Sequence, residues 1–163
     1  MPEGYLKTFL RIVVTHWLLI VNLPVFLLVS LAILTPFLNY HNLAAGKILF
    51  AFYGLSCHQL PARSFFILGK QIAFCSRDLA LYSSIIVGSA LWKITNRKIS
   101  LLAWILLILP MLLDVLLNAS GLKQGSNEVR VITGAVAGLA TSFYILPHIK
   151  KAMLKAKEEV AKM

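Results

Sequence analysis

Phe9–Thr35 reads FLRIVVTHWLLIVNLPVFLLVSLAILT, and its length and apolarity decide the solvent of the whole chain. Its only Lys or Arg is Arg11, near the start, and it is long enough to cross about 30 Å of hydrocarbon with some tilt. Lys7 and Arg11 ahead of an apolar run resemble the front of a signal peptide. The run is too long for one, however, and no small-residue cleavage site follows, so it reads as a retained span. His16 and Asn22 interrupt it, Pro24 is expected to kink it, and Pro36 is expected to end it.

The remainder of the chain repeats that pattern. Of 163 residues, 59% are hydrophobic and 13% charged, too few polar groups to cover a water-soluble domain. Residues 78–94, 99–117 and 129–146 read as three further spans. The polar run Asn39-Tyr-His-Asn42 leads into 43–56, where Ile48, Leu49, Phe52 and Leu55 share one helical face. That segment is too short to span and is expected to lie at the interface or enter partway. Residues 57–75, CHQLPARSFFILGKQIAFC, are the least helical part, because Pro61 breaks any helix there. Phe65–Leu68 and Gln71–Phe74 are expected to pair around a type II′ turn at Gly69-Lys70. The fold class is thus all-α: a polytopic helical membrane bundle of about four spans, with an interfacial helix and a short extracytoplasmic hairpin. Residues 1–149 form the integral membrane domain and 150–163 a basic cytoplasmic tail.

Charge placement orients the bundle. With four crossings, the side holding both termini carries ten of the 16 Lys and Arg residues: Lys7, Arg11, Lys93, Arg97, Lys98 and five tail lysines. The opposite side carries Lys47, Arg63, Lys70, Arg77, Lys123 and Arg130. The positive-inside rule therefore places both termini in the cytoplasm of a multi-pass cell-membrane protein. No basic run is interleaved with aromatics, which excludes a nucleic-acid partner; the lipid bilayer is the partner implied. A chain of four spans also suits a homo-oligomer or a membrane partner subunit.

This topology carries Cys57–Asp78 and Asp114–Arg130 to one extracytoplasmic rim. Charges in or beside spans are paired or functional. Asp78, Asp114 and Glu128 there face Arg63, Arg77 and Arg130, and Asp114 and Asn118, four apart, share a helical face. The bland account has Asp114 or Asp78 bridging to Arg130 to lock helices; the functional account has the same charges facing a cavity. Gly134 and Gly138 form a small-xxx-small pair suited to close helix approach. Cys57 and Cys75 leave several readings open. They are a structural disulfide stapling the hairpin, part of a zinc site formed by Cys57, His58 and Cys75 with Asp78 or His41, a redox pair lacking C-x-x-C spacing, or free thiols. No phosphate loop, dinucleotide fingerprint, nucleophile elbow or H-E-x-x-H is present.

Three pieces carry a resemblance: Cys57-His-Gln-x-Pro61-x-Arg63-Ser-Phe65; Gly69-x-Gln71-x-x-x-Cys75-x-Arg77-Asp78; and Pro110-x-x-x-Asp114 with Gln124 and Ser126-Asn127-x-x-Arg130-x-x-Thr133-Gly134. Together they resemble a prokaryotic family of small polytopic membrane proteins known as a domain of unknown function. The resemblance implies a helical membrane protein with a shared polar site, and no reaction. Three functions follow from the residues. The first is a site that binds an ion, an anionic small molecule or a lipid through Arg63, Arg77, Asn118, Gln124, Asn127 and Arg130. The second is an intramembrane enzyme with Asp78 or Asp114 as base and His58 as proton shuttle. The third is an accessory subunit whose charges only organise packing.

Overall fold

The computed structural model describes residues 3–122 and 125–162. Its elements in order are α1 (Glu3–Tyr40), α2 (Ala44–Tyr53), β1 (Ser64–Ile67), β2 (Lys70–Cys75), α3 (Ser76–Thr95), α4 (Leu101–Ala119) and α5 (Asn127–Lys162). A single 3-10 turn at Pro61–Arg63 precedes β1. Among the described residues three helices, Lys7–Tyr40, Leu101–Ala119 and Asn127–Ala161, are both long and apolar enough to cross a membrane. With 20 residues, α3 has the length for about 30 Å but not the apolarity, and its Ser76, Ser84 and Ser89 are buried against protein. Three of the four expected spans are thus met by length and composition, and α3 is not among them.

The proline expectations for the first span need revision. The helix runs through both Pro24 and Pro36 to Tyr40, and its one non-helical residue is His16, at φ −106° and ψ 17°. In a bilayer there is no water to reward a break, so the chain stays helical and nearby side chains adapt. Thr35 Oγ1 donates to Leu31 O at 2.9 Å, and Asn22 Nδ2 donates to Leu18 O at 2.8 Å, both one turn back. Ten residues of α2 measure about 15 Å, half a bilayer core. Its buried side is Gly46 and Tyr53, whereas Ile48, Phe52 and Leu55 of the apolar stripe are exposed. That stripe faces away from the rest of the protein.

Contacts along the helices fix their directions. Gly134 lies under Arg77, Gly138 under Leu81 and Ser84, and Ser142 under Gly88, so α5 runs parallel to α3. Ser142 Oγ donates to Ile85 O at 3.0 Å across the same seam. In the other direction, Trp104 Nε1 donates to Thr141 Oγ1 at 3.3 Å and Ile99 N to Phe143 O at 3.4 Å, which sets α4 antiparallel to α5. Trp17 meets Trp92 edge-on at 5.9 Å, so the start of α1 lies beside the end of α3. Lys150 Nζ donates to Asn96 Oδ1 at 2.7 Å at that same end. Both chain termini therefore lie at one end of the bundle, and α5 continues unbroken through residues 150–162.

The opposite end carries α2 and the hairpin. Ile67 pairs with Lys70 and Phe66 with Gln71, with an irregularity before Ser64 reaches Cys75. The turn residues are Leu68 and Gly69, with φ of 53° and 70°. Two positive values mark a type I′ turn, one residue earlier than the II′ turn expected, because I′ twist matches a two-residue hairpin loop. Ile72, Ala73 and Phe74 are buried with Ala32, Tyr53 and Cys57 in the core beneath the hairpin, and the Tyr53 hydroxyl donates to Leu28 O at 2.6 Å.

The α3–α5 seam is the tightest contact in the bundle. A Cβ on Gly138 would fall inside contact distance of Ser84 Oγ and of the Leu81 carbonyl oxygen, and backbone cannot swing away. Gly138→Ala is expected to lower stability by about 1–3 kcal/mol, the usual range for overpacking. A depressed unfolding midpoint in detergent would show this, and an unchanged midpoint would mean that the helices are further apart.

Candidate functional site

On α4 the inside-out logic of a lipid-facing helix is plain: its leucines are exposed, and its buried residues are Asp114 and Asn118. Four residues apart, they present one polar face to α3 and α5. The Asp114 carboxylate pairs with the Arg77 guanidinium on the first turn of α3. Asn118 Nδ2 donates to Asp114 O at 2.6 Å and to Asp114 Oδ1 at 3.0 Å. Asn118 Oδ1 in turn accepts from Arg130 Nη2 at 2.8 Å and from the Gly125 amide at 2.9 Å. Asn127 Oδ1 accepts from Ser76 Oγ at 3.0 Å and from Arg130 Nη1 at 3.4 Å. The two distant stretches are therefore joined by one continuous hydrogen-bonded network. The partners differ from those expected: Asp114 takes Arg77 rather than Arg130, and Arg130, 3% exposed, rests on two amide oxygens. Among the described residues Arg130 forms no ion pair.

In front of this network lies a cavity of about 190 Å³, walled by Cys57, His58, Arg63, Arg77, Asp78 and Arg130 among others. Cys75 also lines it. Asp114, Asn118 and Asn127 stand behind the wall, and Gln124 lies outside the described residues. A larger pocket, about 460 Å³, sits at the other end of the bundle beside His16, Trp92 and Lys150. It brings together no thiol or carboxylate, so the chemistry-bearing site is the smaller one. His41 meets Tyr40 edge-on and His148 contacts Tyr144, and neither histidine lines the cavity.

Both cysteines are free thiols. Cys57 Sγ accepts from the Cys75 amide at 3.2 Å, and the Cys75 thiol donates to Asp78 Oδ2 at 3.1 Å. The donor atoms of Cys57, Cys75 and Asp78 all lie within 4.8 Å of one another; His58 is on the cavity wall but outside that group. Hydrogen bonding from the Cys75 thiol draws Cys57 down to about 7, despite the opposing effect of burial. The same bond, together with burial, pushes Cys75 up.

Two glutamines hold the cysteine loop in place. Gln59 Nε2 donates to Phe50 O at 2.7 Å and Ala73 O at 3.1 Å; Gln71 Nε2 donates to Gln59 O at 2.7 Å and Ser64 Oγ at 3.0 Å. Gln59 itself has φ 49°, a conformation that needs such over-determination. These side chains set the cavity's shape, and the sequence flagged them only as parts of a motif. Ser76 and Gly125 carried no signal beyond being small.

With this geometry in view, residues 57–144 match the family described as Predicted membrane protein (DUF2085). The chain belongs to that family. The matched segment opens on Cys57 and contains the whole cavity cluster together with its supporting network. An uncharacterized protein of Methanocaldococcus jannaschii is 42% identical over 105 residues, covering 61% of this chain and 67% of the relative. An uncharacterized protein of Methanothermobacter thermautotrophicus is 28% identical over 98 residues, covering 57% of this chain and 88% of the relative. No solved structure matches.

The Arg77–Asp114 pair yields a direct test. Asp114→Asn leaves a cation shielded from water without its counter-ion and is expected to cost about 3–5 kcal/mol, whereas Arg77→Met with Asp114→Leu should recover most of that loss. Unfolding midpoints of the three proteins in detergent measure it. Equal destabilisation by the single and double variants would show that the two side chains are not coupled.

Proposed function

We propose that the rim cavity binds a small anionic group, a carboxylate or phosphate, carried by a free small molecule or by a lipid headgroup. The observation that carries this reading is Arg130: nearly fully buried, on the cavity wall, and held by neutral amide oxygens rather than by a carboxylate. A guanidinium removed from water without an anion is strongly unfavourable, and an anionic ligand is the natural complement. Arg63 lines the same space, and its fork adds planar, bidentate donors suited to carboxylate or phosphate. Arg77, neutralised by Asp114, keeps the wall rigid.

In this reading the cavity opens on the extracytoplasmic side and both termini are cytoplasmic, as the distribution of Lys and Arg supports. The site lies at a bundle end beside the outward apolar stripe of α2, a position open both to water-borne ligands and to headgroups. A second copy of the chain or a partner subunit would complete so narrow a bundle.

Thermal unfolding of the purified protein in neutral detergent tests the reading. Inorganic phosphate, acetate or an anionic phospholipid, compared with chloride at equal ionic strength, is expected to raise the midpoint. Arg63→Gln should weaken the response about tenfold or more, the worth of one charge-assisted hydrogen bond. Arg97→Gln, at the opposite end of the bundle, should leave it unchanged. A response to phospholipid alone identifies the headgroup as the source, and a response to phosphate or acetate identifies a free anion. If no anion shifts the midpoint more than chloride does, the cavity is not an anion site.

A further inference from the structure

The cavity holds a second feature that anion binding leaves unused. Cys57, Cys75 and Asp78 come from three separate pieces of backbone: the loop after α2, the last residue of β2 and the first turn of α3. Each piece is fixed independently. The Cys57 amide donates to Tyr53 O at 3.0 Å, the Gln59–Gln71 bracket ties the loop to the hairpin, and Asp78 sits next to the Arg77 anchor. Their three donor atoms converge to within 4.8 Å of one another in a partly buried place.

We propose that Cys57, Cys75 and Asp78 bind a zinc ion, with the fourth coordination position open to the cavity. Two thiolates and a carboxylate are normal zinc ligands, and thiolates select against magnesium and calcium. The fit is close. In a tetrahedral site with zinc–sulfur and zinc–oxygen bonds near 2.3 and 2.1 Å, ligand atoms stand roughly 3.5–3.8 Å apart. The three donor atoms here lie within 4.8 Å of one another, so small side-chain rotations close the site. The Cys75 amide already points at Cys57 Sγ, a hydrogen bond that stabilises thiolate charge. Charge balance also favours the arrangement. Two thiolates, one carboxylate and one zinc ion leave a single negative charge, and Arg130, which lines the same cavity, offsets it. Three protein ligands with an open position is the pattern of a zinc that receives water or an anionic ligand, rather than of a closed structural site.

The inference stands on donor geometry and does not depend on anion binding. Its test is cobalt(II) titration of the reduced wild-type protein in detergent, followed by zinc competition. One equivalent of cobalt is expected to produce thiolate-to-metal charge-transfer absorption with the intense d–d bands of a tetrahedral site. One equivalent of zinc should bleach both. Cys57→Ser and Cys75→Ser should each lose part of the charge-transfer band, and the double variant all of it. Asp78→Asn should keep that band and shift the d–d bands. Arg63→Gln should bind metal with wild-type stoichiometry, so loss of anion binding and loss of the metal site are read separately. The wild-type titration needs no variant to fold. Absence of tetrahedral bands at one equivalent would overturn the proposal, as would identical bands in the double serine variant. A Cys57–Cys75 disulfide whose reduction creates no metal binding would do the same.

Discussion

The buried ion pair between Arg77 and Asp114 is the constraint on which the rest of this end of the molecule depends. Each charge lies on a helix that otherwise meets lipid or other helices, and an unpaired charge there is prohibitively unfavourable. Asp114 is 6% exposed and sits among outward-facing leucines, so α4 has one rotation about its axis that satisfies it. Arg77 must arrive from the first turn of α3, which fixes the height of that helix relative to α4. Once those two helices are set, α5 fits between them only by presenting Gly134 and Gly138 to α3. A Cβ on Gly134 would stand 2.6 Å from the Arg77 carbonyl oxygen, so the same small-residue face that permits close packing also seats the arginine.

The asymmetry of the polar network gives the site its character. Asp114 neutralises Arg77, and Asn118 and Asn127 satisfy the hydrogen-bonding geometry of Arg130 without cancelling its charge. Amide oxygens orient a guanidinium; they do not discharge it. Positive potential is thereby left on the cavity that the sulfur and carboxylate donors of Cys57, Cys75 and Asp78 also line. A packing device alone would pair cation with anion directly. Here Arg130 keeps its charge beside the same cavity that the Cys57, Cys75 and Asp78 donors line.

Much of this was legible in the residues. Segment length and apolarity located the long helices, because in a bilayer the backbone must satisfy itself and helix boundaries follow hydrophobicity closely. Spacing alone put Asp114 with Asn118, and Gly134 with Gly138, on common faces. What spacing cannot supply is which helix stands opposite, and for that reason it left open whether Asp114 or Asp78 meets Arg130 and did not single out Arg77 as the partner of Asp114. Proline rules drawn from water-soluble helices misplaced the end of α1 and its irregularity, since Pro36 is buried against protein and the Ala32 carbonyl it leaves without a donor has no water to seek. The apolar stripe of α2 was found correctly but its direction was ambiguous: in a membrane protein such a face turns to lipid as readily as to the core. Gln59 and Gln71 were invisible as structural clamps because a glutamine's reach to distant backbone depends on tertiary placement, not on its neighbours in sequence.

Everything at the site requires that the hairpin and the α4–α5 loop share one side of the membrane. Site-directed labelling in intact cells examines this most directly, using Lys70→Cys and Leu122→Cys one at a time in a C57S/C75S background. Both side chains are exposed, at the hairpin turn and in the loop respectively. A membrane-impermeant maleimide is predicted to modify both from the same compartment, with equal protection when the other face alone is accessible. Modification of the two positions from opposite compartments would contradict the shared rim, and with it the cavity, the arginine wall and the metal ligands.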